Sequence, residues 1–242
     1  MLLEEVARVG VPVTPAEVNT SLDLPKPTIH RLFATLEAEG YLQRAMDGRG
    51  FIPGRRMKRI AANILSTRAV DSARVAILRA LADKVGETCN IATPGREAMV
   101  YLDRVETKWP LRIQLPVGSE VPFHCTASGK MFLSTLKPAH LDRWLASGAL
   151  TARTSRTLVE PDALREELGK VRENGYATDD EEFMPDMTAL AVPIADDMGR
   201  LVSTLSIHAP VQRQPISRLL GNLALLRSSA AELSGLLVSD QV

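Results

Sequence analysis

Three stretches of this sequence gather the residue types that bind or transform small molecules. Pro122-Phe123-His124-Cys125-Thr126-Ala127-Ser128-Gly129-Lys130 runs small residues into a predicted helix. The first turn of a helix leaves backbone N–H groups without partners, so Ala127, Ser128 and Gly129 could receive a carboxylate. Gly175-Tyr176-Ala177-Thr178-Asp179-Asp180-Glu181-Glu182 closes on four consecutive acids, on a strand or its end. Leu205-Ser206-Ile207-His208 alternates apolar and polar, as a strand with one face in a cavity does. Cys125, His208 and Asp179 are the side chains of a thiol hydrolase. His124, Cys125, Asp179, Glu182 and His208 are metal-ligand types, but no pair has tight ligand spacing on one helix. The plainer alternatives are that Cys125 lines a pocket as a small residue, that His208 is a strand residue, and that the acid run is a solvated strand end. Cys89 sits in an apolar strand and reads as core, His140 as surface.

A different chemistry is written in the first sixty residues. Thr14-Pro15-Ala16-Glu17 has the cap, the first-turn proline and the acid of a capping box, and starts a short helix closing near Leu22. Asp23 suits a tight left-handed turn. A second helix is predicted from about Pro27 to Glu39, stopped by Gly40, with Ile29, Leu32, Phe33 and Leu36 as its buried stripe. Its other face carries Lys26, Thr28, His30, Arg31 and Thr35, which can donate to phosphates or base edges. Two short helices with a tight turn, the second polar and basic outside, make a helix-turn-helix. Residues 41–44 and 50–52 flank Asp47-Gly48 as a hairpin, which places Arg44 and Arg49 on a wing near the DNA backbone. A small helical bundle with a solvated basic face is the competing reading.

The other elements follow from periodicity. Arg55 to about Arg68 forms a helix with Met57, Ile60, Ala61 and Ile64 as its stripe, and a further helix spans 70–85 with Val75, Leu78, Leu81 and Ala82 on one face. Strands are predicted at 88–93, 97–105, 111–115, 188–195 and 200–208, and helices at 127–136, 138–147, 161–173 and 216–237. The last two strands meet at Asp197-Met198-Gly199. Hairpin-linked strands mixed with helices imply an α+β domain with an antiparallel sheet. Formal net charge is zero, yet residues 24–60 hold eight Lys/Arg against three Asp/Glu, a basic head on an acidic body that suits a polyanion partner. No apolar run reaches the ~18 residues of a membrane span, and two cysteines fit a reducing cytoplasm.

The stretches LPKPTIHRLFATLEAEGYL (24–42), VGSEVPFHCTASGKMFL (117–133), GYATDDEEF (175–183) and ALAVPIADDMGRLVSTLSIHAP (189–210) resemble the IclR family of bacterial transcription regulators. The resemblance covers nearly the whole chain. It implies an N-terminal winged helix-turn-helix (1–54), a linker helix (55–69) and a C-terminal GAF-like effector-binding domain (70–242). It implies no enzyme and no cofactor, but a homodimer or dimer of dimers on a palindromic operator. The effector it implies is a small carboxylate or aromatic catabolite. Carried over by motif, the effector pocket takes in Ala127, Ser128, Asp179, Ala189, Ser206 and His208. Two departures stand out. Family members often have a polar or Cys residue where Ala189 stands, and a small polar residue where Pro27 removes a donor from the DNA face. A hydrolase fused to a winged helix, or a winged-helix protein adaptor, are the alternatives from other classes.

Overall fold

The computed structural model describes residues 2–45, 48, 50–65, 68–110, 115–147 and 150–238. The chain divides into two compact units, Met1–Asp71 and Ser72–Val242.

The first unit holds α1 (Leu2–Val9), α2 (Pro15–Leu22), α3 (Lys26–Ala38), β1 (Leu42–Arg44), β2 (Phe51–Pro53) and α4 (Arg55–Leu65). Thr14 and Glu17 form the expected capping box, and Asp23 ends α2 in the left-handed region at φ 48°. Helix α3 begins at Lys26, one residue before the prolines suggested, because Pro25 and Pro27 both fit a first turn that has no N–H partners to lose. Gly40, at φ +75°, ends it. Strands β1 and β2 pair antiparallel in the wing register Leu42↔Pro53 and Arg44↔Phe51. Val6, Val13, Val18, Ile29, Phe33, Leu42 and Phe51 form the core. The rings of Phe33 and Phe51 meet edge to face with centroids 4.9 Å apart.

Two expectations need correction here. The sequence reading began at the capping box and missed α1, whose Val6 is fully buried in this core. Leu32, assigned to the buried stripe, is 38% exposed, because it lies at the rim of an apolar arc centred on Ile29, Phe33 and Leu36. Ile60 of α4 is likewise exposed, so that helix does not bury its stripe within this unit. Ile64 and the wing residues Asp47 and Arg49 lie outside the residues whose side chains are described.

Helix α5 (Arg68–Val85), most of which belongs to the second unit, leads to a six-stranded antiparallel sheet of order β5-β4-β3-β8-β7-β6. The strands are β3 (Thr88–Pro94), β4 (Met99–Val105), β5 (Glu120–Val121), β6 (Ala177–Asp180), β7 (Met187–Ala195) and β8 (Leu201–Pro210). Helices α6 (Ala127–Ser134), α7 (Pro138–Ala146) and α8 (Pro161–Asn174) lie between β5 and β6 in the chain, and α9 (Ile216–Leu219) and α10 (Leu223–Val238) close it. One sheet face packs Cys89, Ile91, Leu190, Val192, Ile194, Leu205 and Ile207 against Leu78 and Leu81 of α5 and Leu226, Ala230 and Leu233 of α10. The other packs Ala177, Ala189 and Ala191 against Ala127 and Met131 of α6. The last helix is not continuous as expected: a 3-10 turn at Leu220–Asn222, around Gly221, interrupts it. Four residues of the strand expected at 111–115 lie outside the described residues, Leu115 is not in a strand, and β5 was not foreseen.

Candidate functional site

The first candidate surface is the outer side of α3. Lys26, His30, Arg31 and Thr35 are exposed and Thr28 is half-buried. Helical geometry sets Arg31 and Thr35, one turn apart, opposite Ile29, Phe33 and Leu36. The Thr35 hydroxyl donates to the Arg31 carbonyl at 3.0 Å and keeps its lone pairs outward. An open groove of about 320 Å³ runs between the start of α2 and this helix, lined by Thr14, Pro15, His30 and Arg44 among others. Arg44 is already engaged: its guanidinium donates to Glu37 at 3.1 Å and lies 4.1 Å over the Phe51 ring. Arg56, at the basic start of α4, similarly pairs with Glu39 at 2.9 Å. The two wing-proximal cations are thus held close to the fold, and Arg31 is the better-presented one. Arg49 lies outside the described residues.

The second candidate is the sheet face beneath α6. Strand register puts Asp179, Ala189 and His208 side by side in one row, through the pairs Asp179↔Ala189 and Ala189↔His208. The neighbouring row is Ala177, Ala191, Ser206, Asn90 and Arg104. Directly paired residues share a face, so all of these lie on the side where α6 packs. Sequence reasoning had picked out Asp179, Ala189, Ser206 and His208; the fold brings them together.

Each group has a local cause. Burial, and then the neighbouring carboxylate of Glu182, push the Asp179 carboxyl up to about 7. Its Oδ1 accepts from the N–H groups of Glu182 (2.8 Å) and Phe183 (3.2 Å), so it also caps the turn after β6. His208 is driven down to about 3 by burial and then by the Arg104 charge, which makes it a neutral imidazole. Its Nε2 lies 3.1 Å from Ser206 Oγ.

At the start of α6 one of the three expected donors, the Gly129 N–H, is already taken. Thr126 caps the helix, and its Oγ1 accepts the Gly129 N–H at 3.0 Å while donating to the Pro122 carbonyl at 2.7 Å. The Gly129 N–H is therefore already used, leaving Ala127 and Ser128 as the free first-turn donors. Gly129 is required for a different reason: a Cβ there would sit 2.3 Å from the Phe123 carbonyl oxygen. Ser128 is 2% exposed, and its hydroxyl has no hydrogen-bond partner among the described residues.

Several groups were missed. Lys130, 1% exposed, donates to Glu182 at 2.5 Å and Glu167 at 3.2 Å, so Glu182 belongs to a buried ion-pair cluster and not to a solvated strand end. Burial still raises the Glu182 carboxyl despite that lysine. Tyr101 faces His208 edge-on with centroids 6.2 Å apart. Asn90 and Arg104 come from strands that the sequence located, but which of their faces pointed inward was not read. His124 donates to the Thr151 carbonyl at 2.9 Å. Among the described residues, no group of three or more His, Cys, Asp or Glu is arranged to hold a metal ion, and no helix is long and apolar enough to cross a membrane.

Residues 62–235 match the bacterial transcriptional regulator IclR C-terminal family, and residues 1–45 match the IclR helix-turn-helix domain. The chain belongs to the IclR family. Among its IclR relatives, the probable transcriptional regulator SauR of Cupriavidus necator is 36% identical over 96% of this chain and 92% of its own. The crystal structure of the Thermotoga maritima IclR is similar over 96% of this chain and 94% of that one, at TM-score 0.66 and 25% identity. A structure of a double mutant of the PobR inducer-binding domain from Acinetobacter, in complex with 3-hydroxybenzoic acid, matches 66% of this chain and 94% of that one, at TM-score 0.61 and 26% identity. As an IclR protein the chain is a transcription regulator and not an enzyme, with a DNA-binding helix-turn-helix and an effector-binding domain. The chemistry agrees, because burial and then Asp179 push the Cys125 thiol up to about 12, far from a nucleophilic thiolate at neutral pH.

Proposed function

We propose that residues 1–54 grip one half of a palindromic operator, that residues 55–69 link them to the rest, and that residues 70–242 bind a small organic or aromatic acid that alters operator affinity. The protein acts in the cytoplasm as a homodimer or a dimer of dimers, with one α3 per half-site in successive major grooves about 34 Å apart. Lys26, Thr28, His30, Arg31 and Thr35 make the groove contacts, and Arg44 and Arg49 lie along the backbone. The effector lies at the start of α6, against Asp179, Ala189 and His208 of one row and Ser206 of the next.

The observation that carries this reading is the buried, unpartnered Ser128 hydroxyl at the first turn of α6. A buried polar group left unsatisfied costs about 1–3 kcal/mol, which a ligand acceptor would recover. The first-turn N–H groups and helix dipole favour an anion there. The PobR domain, similar in fold, holds 3-hydroxybenzoic acid. Titrating fluorescent fragments of the protein's own promoter region at low ionic strength tests the DNA half. Folded, dimeric protein that binds none of them would overturn it. A thermal-shift screen of small acids tests the other half, since a true effector at a hundredfold excess over its Kd stabilises by about 2.7 kcal/mol.

A further inference from the structure

A second buried donor, on the sheet face that α6 covers, has no partner among the described residues: the Nδ2 of Asn90, which is fully inaccessible. Its orientation is not arbitrary. Arg104 Nη1 donates to Asn90 Oδ1 at 2.8 Å. A guanidinium has only donors, so the carbonyl end must face Arg104 and the NH2 must point away from it. Asn90 is paired with Ser206, and Ser206 with Ala191, which packs under Ala127 of α6. The amide is thus on the effector side of the sheet, in the row next to His208. Arg104 itself is nearly buried there, between Asn90 and Glu106, the latter 3.3 Å from its Nε.

We propose that Asn90 reads the effector, with Arg104 as the residue that positions it. The inference rests on the effector site proposed above and narrows the ligand. One acceptor group is received by Ser128 and the start of α6, and a second by Asn90 Nδ2. The positive charge of Arg104 behind the amide favours an anionic or strongly polarised oxygen at that second position. The ligand class is therefore a small acid with a second acceptor, either a dicarboxylate or an oxo acid. A monocarboxylate with no second oxygen function leaves Asn90 unsatisfied.

Asn90→Asp separates reading from scaffolding. It keeps an oxygen for Arg104 but replaces the donor by an acceptor. Malonate, succinate, phthalate and pyruvate serve as probes, with acetate and benzoate as controls, all by thermal shift on the full chain. At least one probe should stabilise the wild type and neither control should. The variant should melt no lower than wild type without ligand, and its apparent affinity for that probe should fall at least about tenfold. If the variant proves unstable, uniform 15N-asparagine labelling of the wild type reports directly, because the chain has five asparagines and Asn90 contributes one side-chain pair. That pair should shift on adding the probe. An unchanged response in Asn90→Asp, a silent Asn90 signal, or controls that bind as well as the probes would overturn the inference while leaving the effector site standing. If no acid stabilises the wild type, the site and the inference fall together.

Discussion

Asp179 is the residue whose chemistry depends most on where the fold puts it. In the unfolded chain it ionises near 3.8, whereas in the folded protein burial holds it protonated up to about 7. Between those values the folded state binds a proton that the unfolded state has lost. Stability from this group is full below pH 3.8 and lost as pH rises to about 7. His208 has the opposite sign, because its folded value lies near 3, below the usual 6.5, so its contribution is lost as pH falls through that window. The two oppose each other, and only a difference measurement isolates Asp179. Asp179→Asn keeps the Oδ1 that caps Glu182 and Phe183 but cannot ionise. Its melting temperature relative to wild type should climb from pH 4 to about 7 and then level off. A difference that stays flat with pH would show that Asp179 is ionised in the folded protein. At the DNA end, Arg31 is exposed and central on α3. If it reads a guanine, Arg31→Ala should weaken operator binding by about 1–3 kcal/mol. Fluorescence anisotropy with operator DNA checks this, and unaltered affinity would move the reading to His30 or Lys26.

Among the elements, α6 is the one on which the proposed effector site turns. Its first turn is pressed onto the Phe123 backbone so closely that a Cβ at Gly129 would lie 2.3 Å from Phe123 O and 2.4 Å from Phe123 Cα. Gly129→Ala must therefore lift the helix start or move the Phe123 segment, and should cost at least 1–3 kcal/mol in urea denaturation. An unchanged midpoint would mean that α6 is free to shift and does not fix the site. Much of this element was legible: the small-residue run located the helix start to the residue. What could not be read was that Thr126 takes the Gly129 N–H, because a cap consumes a donor only in three dimensions. The same limit hid Asn90. The alternation Thr88-Cys89-Asn90-Ile91 marks a strand, but register with Ser206, more than a hundred residues away, decides what its inner face meets. Helix α1 was missed for a local reason, since Leu2, Leu3, Val6 and Val9 carry helical spacing without a capping signal in front. The winged helix, by contrast, is specified by neighbours in sequence, and its capping box, left-handed Asp23 and stop at Gly40 were all readable.

Over the whole molecule, the function proposed above is a coupling between operator binding and acid binding. The eight cations against three acids in residues 24–60 imply that DNA binding releases counterions, with log affinity falling by about 0.9 per phosphate neutralised for each decade of salt. The effector need not touch that surface. It has only to bind more tightly in whichever conformation is, or is not, matched to the operator. Thermodynamic linkage then fixes a relation independent of the structural route: if the acid changes operator affinity by some factor, the operator must change acid affinity by the same factor. Calorimetric titration of the acid into free protein and into the protein–operator complex, at one salt concentration, measures the second factor, and anisotropy with and without saturating acid measures the first. The two should agree, with both near unity only if the acid is not an effector. Loss of all acid binding to the complex, with operator affinity that keeps falling as acid is raised and never levels off, would mean that the acid competes for the DNA surface. Control would then lie in residues 1–54 and not beneath α6.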